Sequence, residues 1–238
     1  MKKIFCCILV LASLAVCSCR SITNAVTGID ADKKEVILSF DDGPNANGDT
    51  TARLLDVLQK YNVRAMFALI GKNAEQNIEL VQRIHNEGHI IVNHGYSGRW
   101  AISMKNDEFR ENLRKGEEAI AVALGDSPQP KLYRPHGGFY HQRHKRIWLE
   151  EGWEMVGGNI RVYDATIDES GRQRVIERVI NKTIKKGGGV ILLHDGNDTY
   201  YRMEMELERN PSSSYNRAWI PDAVEEIIVA LLENGYQM

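Results

Sequence analysis

The feature that most constrains this 238-residue chain is an alternation, from residue 35 onward, of short apolar or β-branched runs with longer amphipathic segments. That alternation favours parallel strands joined by helices within one α/β domain. Strands are expected over 35–40, 64–70, 89–93, 131–134, 153–157 and 190–194. Helices are expected over 50–61, where Leu54, Leu55, Val57 and Leu58 share a face, and over 74–87, 107–124, 142–151, 171–185 and 221–233. Gly125 stops one of them and Pro221 opens the last. The stretch 195–217, rich in charge and carrying Tyr200, Tyr201 and Tyr215, is expected to be a long irregular loop, and loops of that length are usually functional or disordered.

Residues 1–34 stand outside this pattern. Lys2 and Lys3 precede an apolar run over 4–16, which has the build of a secretory signal and is too short to span a bilayer. All four cysteines (Cys6, Cys7, Cys17, Cys19) lie in or beside it, so the remainder must fold without an internal disulfide. About 218 residues follow, enough to bury a core unaided. Without the two leading lysines the chain carries 28 basic against 32 acidic residues, a net charge of −4. That balance argues against nucleic acid as a partner.

Asp41, His94, Arg134 and His194 fall at or just past the carboxyl ends of expected strands, where parallel α/β barrels assemble their sites. Asp41 and Asp42 are adjacent carboxylates that repel unless a cation or hydrogen bonds hold them. The Gly43-Pro44 turn then bends the chain away, and on its own Asp-Asp-Gly-Pro is also an ordinary polar turn. His194 closes the apolar run 190–193, and an imidazole there suits acid catalysis because its pKa lies near neutrality and moves with its neighbours.

These segments resemble the signatures of the polysaccharide deacetylases, the NodB-homology group also called carbohydrate esterase family 4, from about residue 35 to 236. Ser39-Phe40-Asp41-Asp42-Gly43-Pro44 is similar to the first signature, and the resemblance implies that Asp41 is the general base and Asp42 a metal ligand. Gly88 to His94 resembles the lead-in to the second, with His94 as a further ligand. The family's second histidine should stand at position 98, where this chain has Gly98. Three rescues stay open: additional waters, a repositioned side chain such as His136, or loss of metal dependence. A histidine restored at position 98 is expected to tighten metal binding, provided the loop there keeps the family's geometry.

Leu132-Tyr133-Arg134-Pro135-His136-Gly137-Gly138 resembles the third signature, a wall of the substrate groove in which Arg134 would hold Asp41 and His136 replaces a proline. The alternatives are a structural ion pair for Arg134 and a solvated loop side chain for His136, while His141 and His144 read as surface residues. Asp164 fits the fourth signature loosely and would orient His194, and Ala165 stands where many members place a groove tryptophan. Val190 to Asp195 resembles the fifth, with Leu193 lining an acetyl-methyl pocket and His194 as the acid.

The resemblance implies a distorted (β/α)7-type barrel as a single NodB-homology domain over 35–238, after a linker over 20–34. It implies removal of acetyl groups, N-acetyl groups of an amino-sugar polymer first among them, with a divalent metal such as zinc. Cys19, after Ser18, resembles a bacterial lipoprotein cleavage site, so residues 1–19 are expected to be a signal peptide and the mature chain a lipid-anchored protein of a bacterial envelope. Two rival readings keep the same fold: a catalytically silent glycan-binding lipoprotein, and an O-acetyl polysaccharide esterase.

Overall fold

A computed structural model describes residues 34–125, 127 and 129–238. The expected signal peptide, nearly all of the linker, and Cys19 lie outside these residues, as do the side chains of Tyr200 and Tyr201. Among the described residues no helix is long and apolar enough to cross a membrane.

The described chain builds one curled, seven-stranded parallel sheet with helices on its outer face. Its strands are β1 (Val36–Gly43), β2 (Ala65–Leu69), β3 (Ile90–Asn93), β4 (Leu132–Tyr133), β5 (Glu154–Met155), β6 (Ile160–Arg161) and β7 (Gly189–His194). They are ordered β5-β4-β3-β2-β1-β7-β6, so the longest strands, β1 and β7, are neighbours and neither is an edge strand. The sheet forms the half-barrel that the distorted (β/α)7 reading requires. β6 was not foreseen, and β4 and β5 each pair over only two residues, too short for a period-two pattern to show.

Alternation of side chains across the strands sorts the core into two layers. Val36, Leu38 and Phe40 of β1, Phe67 and Leu69 of β2, and Ile191 and Leu193 of β7 face outward into the main core. There they meet Leu54, Leu55 and Leu58 of α1 (Thr50–Lys60) and Val224, Ile227, Ile228 and Leu231 of the last helix, α8 (Ile220–Glu233). The inner face carries Met66, Ala68, Val92, Leu132 and Val156, a smaller apolar floor. Burial of this kind supplies roughly 25 cal/mol per Å² of apolar surface, the dominant favourable term in the fold.

The expected helix over 74–87 is two helices, α2 (Gly71–Gln76) and α3 (Ile78–Asn86), parted at Asn77. The Asn77 side chain donates to the Asn73 carbonyl at 2.8 Å, the local competition with helix bonding that asparagine brings. α4 (Asn106–Ala123), α5 (Gln142–Glu150) and α6 (Arg172–Lys186) match expectation within a residue or two. The stretch 195–217 is not irregular throughout, because it contains α7 (Tyr200–Arg209), seated by the fully buried Met203. His144, expected at the surface, is fully buried; it stacks on Phe109 at 4.6 Å and bonds the Met104 carbonyl at 3.1 Å.

Candidate active site

The carboxyl end of β1 departs from strand geometry where the two aspartates stand. Successive strand residues normally point to opposite faces, yet here the β1–β2 register shifts between Asp41 and Gly43 and Asp42 takes φ +72°. A non-glycine residue in that conformation is a strained position of the kind that bulges and functional sites hold. The result is that both carboxylates approach His94: its Nε2 lies 3.3 Å from Asp42 Oδ1 and 3.8 Å from Asp41 Oδ2.

His94 follows β3, and its ring orientation is fixed from behind. Its Nδ1–H donates to the Arg134 carbonyl at 2.8 Å, leaving the Nε2 lone pair for the cleft. Arg134 follows β4 and crosses the inner face, where Nη1 donates to Ser39 Oγ at 2.6 Å and to Asp41 Oδ1, and Nε to the Val156 carbonyl at 3.2 Å. Asp41 is thus held by a buried, charge-assisted pair. Pro135 is buried beside it. His136 turns its Nε2 to within 3.2 Å of Asp42 Oδ1 and tilts its ring 5.1 Å from that of His94.

Burial pushes the Asp42 carboxyl up, but the His136 and His94 imidazoles outweigh it and hold the group well below the usual carboxylate range. For His136 burial pushes down, while the Asp42, Asp41 and Asp198 carboxylates carry it above the ordinary imidazole value.

The other half of the cleft comes from β7. His194 pairs in register with Asp41 on adjacent parallel strands, which puts the two side chains side by side on the same face. Asp164 is fully buried and accepts from both the His194 amide (2.9 Å) and the His194 ring Nδ1 (3.0 Å). Arg217, also buried, donates to Asp164 Oδ2 at 2.6 Å and to the carbonyls of His194, Asp164 and Ile167. Burial disfavours the His194 imidazolium, but Asp164, then Asp42 and Asp41, carry its pKa up to about 9. The same pairing with His194 and Arg217 overrides burial at Asp164 and keeps its carboxyl below the ordinary value.

Asp41, Asp42, His94, Arg134, Pro135, His136, Asp164 and His194 therefore share one end of the sheet. Leu193 does not: it pairs with Phe40 and lies in the outer core under the helices. The leucine on the cleft face is Leu192, in register with Ser39 and only partly buried. Period-two alternation backward from His194 would have found it. Arg217 carried no sequence signal, and Asp195 closes the fifth-signature segment without a role of its own being read for it. Asp195 is buried beneath Gly43, accepts from Thr51 Oγ1 at 2.5 Å, and is pushed up to about 7 chiefly by burial.

One end of the parallel half-barrel thus gathers three aspartates, three imidazoles and two buried arginines. The polysaccharide deacetylase family model matches residues 28–156, more than half of the sequence, and the chain belongs to that family. A peptidoglycan-N-acetylglucosamine deacetylase of Bacillus cereus is 37% identical over 132 residues, which is 56% of this chain and 46% of that protein. The chain thus spans about half the length of that relative. A solved peptidoglycan N-acetylglucosamine deacetylase, in complex with 4-naphthalen-1-yl-N-oxidanyl-benzamide, matches with TM-score 0.67 and 29% identity over 87% of this chain and 86% of that one. An acetyl xylan esterase from Clostridium thermocellum, in complex with a cobalt ion, matches with TM-score 0.67 and 29% identity over 86% of each chain.

Proposed function

We propose that this protein is an exported hydrolase that removes N-acetyl groups from amino-sugar units of a polysaccharide. The observation that carries this reading is the register pairing of Asp41 with His194, each oriented by its own buried ion pair, on one face of the sheet. In the proposed reaction Asp41, fixed by Arg134, accepts a proton from a water that adds to the acetyl carbonyl carbon. The C–N bond then breaks as His194 gives its proton to the departing amine, and acetate and a free amino sugar leave. A ring titrating at about 9 is protonated at neutral pH, which suits an acid.

The donor set fits a divalent cation. Asp42 Oδ1 is buried with no hydrogen-bond partner, and it stands among two imidazole nitrogens with all ligand atoms within 4.8 Å of one another. Asp42 and His94, with His136 within reach, would hold the ion, and its chemistry there would be Lewis-acid polarisation of the water and the acetyl carbonyl. Leu192 takes the place proposed for Leu193 beside the acetyl methyl group.

The rim favours a polymer over a free sugar. Trp100 and Phe139 are 55% and 60% exposed with ring centroids 6.3 Å apart. Both belong to the loops around His136, whose carbonyl accepts from the Ala101 amide. Such faces suit pyranose rings, apolar on one side and polar at the edge. Residues 1–19 would direct export, with Cys19 as the lipid anchor at a bacterial envelope and residues 35–238 as the domain that meets the glycan. The test is acetate release from N-acetylated chito-oligosaccharides and from acetylated xylan, by the wild type and by Asp41→Asn. Release from the first substrate that Asp41→Asn abolishes supports the proposal. Background release by both proteins with retained glycan binding selects the silent reading, and release from xylan alone selects the esterase.

A further inference from the structure

We infer that His136 is the third protein ligand of a divalent transition-metal site completed by Asp42 and His94, and that the position at residue 98 is closed to a ligand by Asp198. The inference deepens the reading of the same site. It is tested by metal binding, so it stands or falls separately from deacetylation.

Distances favour coordination over a plain ion pair. Asp42 Oδ1 lies 3.3 Å from His94 Nε2 and 3.2 Å from His136 Nε2. Charge-assisted N–H···O contacts run about 2.7–2.9 Å, so both separations are longer than a tight ion-paired contact, and Asp42 Oδ1 accepts no hydrogen bond of good geometry among the described residues. Two donors each about 2.0–2.2 Å from one tetrahedral ion stand roughly 3.4 Å apart, close to what is seen. The chemistry agrees, since one carboxylate and two imidazoles suit a borderline first-row divalent ion and leave a position open for water. His94 has its outer partner in the Arg134 carbonyl, as ligating histidines usually do.

Position 98 points to the same assignment. A Cβ built on Gly98 would stand 2.7 Å from Asp198 Oδ1, closer than side-chain carbons tolerate. Asp198 cannot easily yield, because Oδ1 accepts from the Thr199 amide at 2.7 Å and Oδ2 pairs with Arg202 at 2.9 Å, in the first turn of α7. A histidine at 98 would have to displace this carboxylate and its partners. On this assignment Gly98→His does not tighten metal binding. The loop after β4 supplies instead the imidazole that the loop after β3 lacks.

The experiment titrates the full chain, stripped by chelator and dialysed, with Zn²⁺ alone in a calorimeter. Wild type is expected to bind about one ion per chain, His136→Ala to weaken binding at least ~100-fold, and His136→Ala with Gly98→His to stay as weak. Thermal unfolding without metal checks that each variant folds, and added Zn²⁺ should raise the Tm of wild type but not of His136→Ala. NMR of the wild-type histidine rings needs no variant: Zn²⁺ should move the His94 and His136 resonances and leave His85 and His141 in place. The inference is overturned if wild type takes up no Zn²⁺, if His136→Ala binds within twofold of it, if Gly98→His restores binding, or if the His136 resonance is unmoved.

Discussion

Replacing Asp164 by asparagine removes the carboxylate that touches the His194 ring while keeping an oxygen to accept from Nδ1. In the wild type that ring titrates at about 9 against an ordinary 6.5, a preference for the imidazolium on the order of 3 kcal/mol. Burial works against the charge and Asp164 is the largest favourable contribution, so the variant ring should fall back toward the ordinary 6.5. At pH 8 its protonated fraction then falls from roughly nine-tenths to about 3%, and at pH 6 only to about three-quarters. If His194 is the acid, kcat/KM for acetate release should fall ~30-fold at pH 8 and less than twofold at pH 6.

Stability carries a second signature. The His194 pKa is raised in the folded state, so its contribution is fully present below about 6.5 and lost as pH rises through about 9. Asp164→Asn abolishes that loss but leaves the buried Arg217 guanidinium without its anion, at a cost of about 3–5 kcal/mol and a Tm lower by about 6–20 °C. Acetate release measured from pH 5.5 to 9.5 alongside circular-dichroism melts reads both. Equal activity losses at pH 6 and pH 8 would refute the reasoning, because they would show that Asp164 acts through structure and not through the imidazole's charge.

Asp195 titrates at about 7 against an ordinary 3.8, so folding loses up to ~4 kcal/mol as pH rises from 4 to 7. Asp195→Asn should raise Tm at pH 8 and leave it unchanged at pH 4 in the same melts. Leu193→Ala, in the outer core, should lower stability by about 2–5 kcal/mol without altering KM. Leu192→Ala should do the opposite, and a swapped outcome in melts and steady-state kinetics would restore Leu193 to the cleft. Trp100→Ala should raise KM for chito-oligosaccharides several-fold with kcat little changed, and leave hydrolysis of a small aryl acetate as it was. Loss on both substrates would place Trp100 in scaffolding.

The central strands were legible because β1, β2 and β7 are short, largely apolar runs, two of which, β1 and β7, end in polar side chains that no core would choose. The same logic located Asp41, His94, Arg134 and His194. What stayed hidden depended on three dimensions or on signals too brief to read. β6 is two residues of edge pairing beside β7. α7 is written in helix-forming Met, Glu, Leu and Arg around the fully buried Met203, so propensity marks it. His144 sits in an otherwise polar stretch, yet it lies on the Ile147–Trp148 face of α5. The partnership of His136 with Asp42 joins residues 94 positions apart, and Arg217 meets Asp164 across 53. The side of the sheet on which each leucine falls follows only once the register is fixed.

The segment between Asp195 and Arg217 is clamped at both ends by groups that belong to the scaffold. At its start the Asp195 carbonyl and carboxyl are gripped by Asn45 and Thr51; at its finish Arg217 is tied to Asp164 and to the backbone of β7. Changes between those clamps that spare Asp198 and the buried Met203 should leave His194 in its setting. This gives the chain an exchangeable cassette at the mouth of its cleft, through which a lineage, or a protein engineer, can retune which polymer is admitted without rebuilding the machinery beneath.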